Sequence, residues 1–213
     1  MFSIIIPAYN EAKYIEKTLG NLPKDVDVIV VCNGCTDNTF KLAKKYTKKV
    51  YSIKQKNVSL ARNYGARHAS NKNLIFLDAD TILKKETFNN ISKIFHNDII
   101  GTCKVKPNHT NIITLLFTKI KNFLPMFKFH NSSGIIFCGK DVFNKTHGFN
   151  VKLTKSENGD FVNRAKKHGE FAFTKGYVTT SMRRFEKYGY LKTILFWILY
   201  RLNLSDKPYP AIR

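Results

Sequence analysis

Short apolar runs alternate with amphipathic segments along the first part of the chain. The runs, whose β-branched and aromatic residues predict buried strands, span 3–6, 26–31, 50–53 and 74–77. The segments between them, whose apolar side chains recur at helical spacing, lie at 14–19, 39–46 and 59–69. Strands that alternate with helices predict an α/β fold with a mostly parallel central sheet, and such sheets bind ligands beyond the carboxyl ends of their strands.

The first helix is predicted to start at Asn10, just after the strand that Pro7 closes. Asn is a favoured N-cap because its side-chain oxygen accepts a hydrogen bond from a backbone N–H of the first turn. Apolar side chains such as Ile15 and Leu19 then follow at the spacing of one helix face.

Two carboxylates, Asp78 and Asp80, follow the strand 74–77 with one small residue between them. Because side chains alternate along an extended chain, both carboxylates can point to one place. Two hard oxygen ligands at a strand end fit Mg²⁺ or Mn²⁺ that carries a diphosphate. The alternative interpretation is a turn whose Asp residues only cap the following helix.

The chain is strongly basic. Its 213 residues suffice for one domain with a short appendage, and 36 Lys and Arg against 15 acids give a net charge of +21. Such a charge attracts nucleic acid, anionic lipid or phosphorylated ligands and does not choose among them. The aromatic residues lie mostly within apolar runs, which argues against a base-stacking surface for nucleic acid.

Four cysteines are too few and too scattered to form a disulfide framework, so we expect a reducing compartment. They are Cys32, Cys35, Cys103 and Cys138. The Cys-X-X-Cys spacing at 32–35 also occurs in zinc and redox sites, but no second pair follows. Because Cys32 ends an apolar run, we favour a small buried residue there.

We expect a chain that is soluble or lies on a membrane surface, because no apolar run approaches the roughly 20 residues that span a bilayer and 2–6 is too short for a signal peptide. Two helical stripes, at 113–124 and 191–200, are apolar with Lys nearby. Basic residues beside Trp and Tyr are typical of an interfacial helix. Packing on the core or on a second subunit is the alternative.

Four motifs together resemble a known family. They are SIIIPAYNE at 3–11, NGCTDNT at 33–39, LARNYGA at 60–66 and FLDADT at 76–81. In this order and at these intervals they resemble the nucleotide-sugar half of family 2 glycosyltransferases, which have the GT-A fold. The resemblance is strong over 1–81, weakens over 101–130, and returns from Ser132 to about Arg184.

The resemblance implies a set of donor-binding residues. They are Pro7, Ala8, Tyr9, Glu11, Asn33, Asp37, Arg62, Asp78, Arg183 and Arg184. Cys32-Asn33 stands where the family usually has an acid pair, which leaves the choice between uridine and guanosine open. Asp78 and Asp80 would bind the Mg²⁺ or Mn²⁺ that neutralises the leaving nucleoside diphosphate. A helix cap at Asp37 and ordinary surface charge at the three arginines are the alternatives.

The same resemblance places the catalytic base in the segment 156–161. The family commonly has Glu-Asp there, but Asn158 occupies the second position, and an amide cannot take a proton. Either Glu157, our first choice, or Asp160 is the base, or the acceptor is an anion such as a polyprenyl phosphate and needs none. Acids that only cap the helix from Phe161 are a further alternative.

The sequence therefore predicts one GT-A domain over 1–186, with a nucleotide-sugar half (1–100) and an acceptor half (101–186), and a helical tail over 187–213. We expect an inverting, metal-dependent hexosyltransferase that uses a nucleoside diphosphate sugar. Its acceptor would be lipid-linked or a glycan at the cytoplasmic face of a membrane. The alternative is a non-catalytic protein with this fold that binds anionic lipid or nucleic acid. A nucleotidyltransferase with the same sheet fits the sequence less well, since that function would need an early Gly-rich phosphate loop and residues 7–20 contain none.

Overall fold

The computed structural model describes residues 1–109, 114–115, 118–119, 122, 134–153 and 155–189. Its strands are β1 (Phe2–Ala8), β2 (Asp27–Asn33), β3 (Val50–Ile53), β4 (Asn73–Leu77), β5 (Thr81–Leu83), β6 (Ile99–Pro107), β7 (Ile135–Gly139) and β8 (Glu170–Thr180). Its continuous helices are α1 (Ile15–Gly20), α2 (Thr39–Ala43), α3 (Val58–Arg67), α4 (Lys85–Ile94), α5 (Lys140–Lys145), α6 (Glu157–Ala165) and α7 (Arg183–Tyr188). The strands form one sheet in the order β3-β2-β1-β4-β7-β6-β8-β5.

The first four strands of the chain form the parallel half of the sheet. β1 lies between β2 and β4 and runs parallel to both, and β3 is parallel to β2. β7 is antiparallel to β4 and to β6, whereas β6 and β8 are parallel to each other. The predicted α/β fold with a mostly parallel sheet is confirmed, and the carboxyl ends of β1, β2 and β4 share one edge.

Apolar side chains cover both faces of the sheet. Ile4 and Ile6 pack on one face with Ile15 of α1 and Ile91 of α4. On the other face, Ile5 packs with residues of α3, α5 and α6. Because all seven residues of β1 are buried, this strand is the centre of both cores. Burial on both faces explains why apolar residues, interrupted only by Ser3, fill successive positions of this strand instead of alternating with polar ones.

Helix α3 lies unusually close to β1 at Gly65. A Cβ atom at this position would collide with the Ile5 side chain. The absence of a side chain therefore lets the helix approach the strand. This close approach sets the depth at which Arg62, one turn earlier on α3, is buried.

The predicted cap at Asn10 is wrong. α1 begins at Ile15, and Asn10 adopts a left-handed backbone with φ of 54°. Its side-chain oxygen accepts a hydrogen bond of 2.8 Å from the backbone N–H of Thr36. The same side chain donates to Thr36 Oγ1 at 3.2 Å. Asn tolerates this backbone region, so it joins the loops after β1 and β2 instead of starting a helix.

One side chain from the region after β6 pairs with the backbone of that strand. Asn122 accepts a hydrogen bond from Val105 N at 2.8 Å and donates one to Val105 O at 2.9 Å. Other parts of the predicted stripes lie outside the described residues: the positions 113, 116, 117, 120 and 124, and the run 191–200. Within the described part of the chain, no helix is long and apolar enough to cross a membrane. The division at 186 stays a prediction.

Candidate active site

Four carboxylates and two arginines meet at the carboxyl edge of the parallel strands. Glu11 follows β1, Asp78 and Asp80 follow β4, and Glu157 begins α6. A hydrogen bond of 2.8 Å from Thr18 Oγ1 to Ala79 O fixes the loop after β4 against α1. The same loop also contacts the residue before β7, since Asp78 N donates a hydrogen bond of 2.9 Å to Gly134 O.

Arg62 joins Asp78 to Glu157. Its Nη2 lies 2.8 Å from Asp78 Oδ1 and its Nη1 lies 3.1 Å from Glu157 Oε1. The residue is only 3% exposed, and its guanidinium carbon lies 5.1 Å from the centre of the Phe149 ring. Burial alone would lower the pKa of Arg62, but the charges of Asp78 and Glu157 outweigh it and raise that pKa. The arginine is therefore a fixed positive charge inside the site.

Arg183 joins Glu11 to Asp80. Its two terminal nitrogens lie 2.7 Å and 2.6 Å from the two Glu11 oxygens, and Nη2 also lies 3.1 Å from Asp80 Oδ2. The guanidinium lies over the Tyr14 ring at 4.6 Å. Burial acts to lower the pKa of Arg183, yet the hydrogen bonds to Glu11 and the charge of Asp80 raise it overall. Forked contacts of this kind fix both partners in place.

The end of β8 brings Arg183 to the site. Thr81 of β5 donates a hydrogen bond of 3.0 Å to Thr180, the last residue of β8. Ser181 N then donates to Asp80 O at 3.3 Å. Thus residues 172 positions apart, Glu11 and Arg183, become neighbours. Of the predicted basic pair, Arg183 reaches the carboxylates, and the Arg184 side chain lies outside the described residues.

The two candidate bases have different surroundings. Glu157 contacts Arg62, as described, and follows Ser156, whose backbone is left-handed. Asp160 instead accepts hydrogen bonds of 2.9 Å and 2.6 Å from Arg164, one turn later on α6. Arg164 also donates to Gly148 O at 2.9 Å. Asp160 therefore orients an arginine that ties α6 to the loop after α5, and Glu157 is the acid that lies beside Asp78.

The remaining predicted donor residues lie around the ends of β1 and β2. Pro7 and Ala8 are buried in β1, and Asn33 is the buried last residue of β2. Tyr9 is half-buried, with Lys56 Nζ 5.3 Å from its ring centre. Their contact with a donor stays a prediction.

Asp37 holds the loops after β1 and β2 together. It accepts hydrogen bonds from Ala12 N at 3.1 Å and from Thr39 N at 3.0 Å, and one from Thr39 Oγ1. Partial burial would raise the pKa of Asp37, and these hydrogen bonds lower it overall. Asn38, not Asp37, is the N-cap residue of α2, so Asp37 stabilises the turn before the helix, and its contact with a donor stays a prediction.

The Cys-X-X-Cys segment is part of the same loops. Cys35 Sγ lies 3.2 Å from Ala8 O and 3.4 Å from Asn10 N. All four cysteines are free thiols, and Cys32, Cys103 and Cys138 are buried. The predicted structural role of Cys32 fits its complete burial in the core beside Val30.

Four features of the site have no signal in the sequence pattern. The Tyr14 and Phe149 rings support the two arginines, although an aromatic residue in an apolar run predicts only core. Asn158 Oδ1 and Arg62 Nε are buried and have no hydrogen-bond partner among the described residues. Buried polar atoms are normally paired, so this donor and this acceptor are candidates for ligand contact.

Divalent metal chemistry fits the donor atoms of this edge. Carboxylate oxygens are the ligands that Mg²⁺ and Mn²⁺ prefer, and Asp80 and Glu11 both reach the same nitrogen of Arg183. Within the ranges that the structure describes, no three His, Cys, Asp or Glu side chains are grouped to hold a metal alone. Phosphate oxygens and water would have to supply further ligands, as is usual for Mg²⁺.

Comparison with known proteins decides the family. The family described as glycosyl transferase family 2 matches residues 3–149, which is most of the chain. The chain belongs to this family. The predicted membership of family 2 is thereby confirmed.

Two curated relatives of this family 2 glycosyltransferase are named for teichoic acid and for poly(ribitol-phosphate). The minor teichoic acid biosynthesis protein GgaB of Bacillus subtilis is 31% identical over 106 residues, 44% of this chain and 12% of GgaB. The poly(ribitol-phosphate) β-N-acetylglucosaminyltransferase TarS of Staphylococcus aureus is 29% identical over 114 residues, 46% of this chain and 20% of TarS. The chain thus spans a fifth or less of the length of these relatives.

Solved structures confirm the GT-A fold. TarS residues 1–349 in complex with UDP-GlcNAc align with a TM-score of 0.65 and 23% identity, over 93% of this chain and 66% of that one. The mannosyltransferase PcManGT of Pyrobaculum calidifontis, in complex with GDP-Man and Mn²⁺, aligns with a TM-score of 0.68 and 16% identity, over 98% of this chain and 66% of that one.

Proposed function

We propose that this family 2 glycosyltransferase transfers a hexose from a nucleoside diphosphate sugar to a hydroxyl of a lipid-linked or glycan acceptor, with inversion and with Mg²⁺ or Mn²⁺. The observation that carries the proposal is the cluster of Glu11, Asp78, Asp80 and Glu157 around two arginines at the carboxyl edge of the sheet. Sheets of this class bind their ligands at that edge. Relatives with the same fold are solved with UDP-GlcNAc and with GDP-Man and Mn²⁺.

Each charged side chain has a role in this proposal. Glu157 takes the proton of the acceptor hydroxyl. At the same time the hydroxyl oxygen forms a bond to the sugar carbon, and the bond between that carbon and the diphosphate breaks. Arg62 holds Glu157 and Asp78 at fixed positions, with its own orientation set by burial against Phe149. Asp78 and Asp80 would hold a divalent metal, which would neutralise charge on the leaving diphosphate. Asn158 Oδ1, buried and beside Glu157 in sequence, is available to a hydroxyl of the sugar or of the acceptor.

The acceptor side of the proposal rests on charge and on the relatives. A net charge of +21 favours an acceptor that carries phosphate groups, or an anionic membrane on which the acceptor lies. GgaB and TarS are named for teichoic acid and poly(ribitol-phosphate), which are polymers of this chemistry. We infer a peripheral position at the cytoplasmic face of a membrane, where a lipid-linked acceptor and a soluble nucleotide sugar meet.

Calorimetric titration with UDP, GDP, CDP and dTDP tests the donor class. We expect one of these diphosphates to bind with Mn²⁺ and to bind much more weakly after chelation. Transfer from the corresponding sugar nucleotide to a phosphate-containing glycan then tests the reaction. If none of the four binds, and the protein instead binds DNA or anionic lipid tightly, the non-catalytic alternative replaces this proposal.

A further inference from the structure

The Arg183 guanidinium occupies a position between two carboxylates that come from different strand ends. Its Nη2 lies 2.6 Å from Glu11 Oε1 and 3.1 Å from Asp80 Oδ2. One nitrogen thus contacts both oxygens, so the two carboxylates converge on one point. Both are shielded from water, since the Glu11 side chain is 4% exposed and that of Asp80 is 17% exposed.

Two converging carboxylates need a cation between them. Without one, their like charges would repel each other across a poorly solvated gap. A guanidinium satisfies this need, and so does a divalent cation, which takes carboxylate oxygens as ligands. The two cations compete, because they use the same oxygens and because two positive charges this close repel each other.

Arg183 can leave these oxygens more easily than Arg62 can leave its own. Arg62 is central in α3, its side chain is only 4% exposed, and a carboxylate lies on each side of it. Arg183 is the first residue of the short helix α7, three residues after the end of β8, and its side chain is 16% exposed. Its guanidinium has a second class of partner that suits its geometry, the phosphate oxygens of a diphosphate.

We propose that Glu11 and Asp80 form a two-carboxylate site for a divalent cation, that Arg183 occupies this site when no metal–diphosphate is bound, and that Arg183 moves to the phosphates when the metal binds. This inference rests on the proposed function. It gives Glu11 a role as a metal ligand, and it makes Arg183 an internal cation that keeps the two acids paired between catalytic cycles. In this arrangement Asp78 is not one of the two metal ligands. Its Oδ1 contacts Arg62, which fixes the orientation of the Asp78 side chain.

The test measures Mn²⁺ binding in the absence of nucleotide, from the free Mn²⁺ signal in electron paramagnetic resonance. The intact chain is compared with Arg183→Gln, Arg183→Gln/Glu11→Gln and the control Arg67→Gln, which removes an exposed arginine of α3. We expect Arg183→Gln to bind Mn²⁺ at least about tenfold more tightly, because a competing charge within about 4 Å is gone. The double variant should lose that gain, and Arg67→Gln should match the intact chain.

A second measurement uses the intact chain, in case Arg183→Gln does not fold. Nitrogen-15 NMR of the arginine Nε–H groups, assigned with Arg183→Lys and Arg67→Gln, follows a titration with Mg²⁺ and the nucleoside diphosphate that binds. We expect the Arg183 signal to shift while the signal of the exposed Arg67 keeps its position. Equal Mn²⁺ affinity of Arg183→Gln and the intact chain, or an unmoved Arg183 signal in the metal–diphosphate complex, overturns the inference. The proposed function fails if no nucleoside diphosphate binds. If a nucleoside diphosphate binds but Arg183 behaves in either of these two ways, only the inference about Arg183 fails, so the two failures are distinguishable.

Discussion

Arg62 and Glu157 are 95 positions apart in the chain and are joined by a hydrogen bond of 3.1 Å. This contact connects α3, which belongs to the parallel half of the sheet, to the first turn of α6. The same arginine holds Asp78 at the end of β4. One buried side chain thereby sets the distance between the candidate base and the candidate diphosphate site.

The first prediction concerns Glu157. We expect Glu157→Gln to reduce kcat by at least about 100-fold, because a general base contributes that much or more, and to leave nucleotide binding unchanged. Steady-state transfer kinetics and calorimetry measure the two effects. Asp160→Asn is the matched control: it removes the negative charge that pairs with Arg164, so it should lower stability and spare kcat. A large loss of kcat in the control alone would assign the base to Asp160.

The second prediction concerns the stability that Arg62 provides. Removing one member of a buried ion pair costs about 3 kcal/mol or more, and water reaches Asp78, so we expect Arg62→Met to lose about 2 kcal/mol. Urea unfolding followed by circular dichroism measures the loss. Arg67→Met, on the exposed side of the same helix, should change the free energy of unfolding by less than about 0.5 kcal/mol. Equal effects at the two positions would contradict a structural role for the Arg62 contacts.

The third prediction concerns the approach of α3 to β1. Gly65→Ala introduces a Cβ that collides with Ile5, so we expect a loss of about 1–3 kcal/mol, together with weaker donor binding as Arg62 is displaced. Gly20→Ala is the control, because a Cβ there would meet only the edge of Tyr46 at 3.7 Å. It should leave stability unchanged or raise it by up to about 1 kcal/mol. Urea unfolding of the two variants makes the comparison, and a stable Gly65→Ala would show that the helix can shift freely.

The fourth prediction concerns acid stability. Partial burial would raise the pKa of Asp27, but hydrogen bonds from Lys49, Ser70 and Ser3 lower it below the usual 3.8. A lowered pKa in the folded chain contributes stability above 3.8, and this contribution is lost as the pH falls below that value. We expect Asp27→Asn to be less stable than the intact chain at neutral pH and to approach it near pH 3. Thermal unfolding between those pH values provides the measurement, and a constant difference would contradict the prediction.

Local patterns were sufficient for the parallel half of the chain. β1, β2 and β4 are largely buried apolar runs, and the short edge strand β3 is rich in β-branched and aromatic residues. The same pattern indicated that Asp78 and Asp80 lie at a strand end. Strand β8 is harder to predict from the sequence. Many of its residues are half-buried, and the register shift opposite Cys103 and Lys104 interrupts the alternation of inward and outward side chains. Asn10 was misjudged because a residue suited to caps is equally suited to a left-handed turn.

The ion-pair partners of the charged residues could not be predicted from the sequence. The pattern identified Glu11, Arg62, Glu157 and Arg183 singly, through a family resemblance. Which acid contacts which arginine depends on how distant segments pack, and no local periodicity carries that information. Hence Arg62, expected to face a diphosphate, lies between two acids, and Asp160 and Glu157, three residues apart, face different arginines.

The Asn122 carboxamide has a consequence for self-association. β7 pairs with β6 at Ile100 and Gly101, and at Val105 the Asn122 side chain supplies both the donor and the acceptor that a neighbouring strand would offer. Exposed backbone groups of this kind are a template on which a strand from another molecule can add. Because the Asn122 side chain already pairs with both backbone groups of Val105, a strand from another molecule cannot add to β6 at this residue.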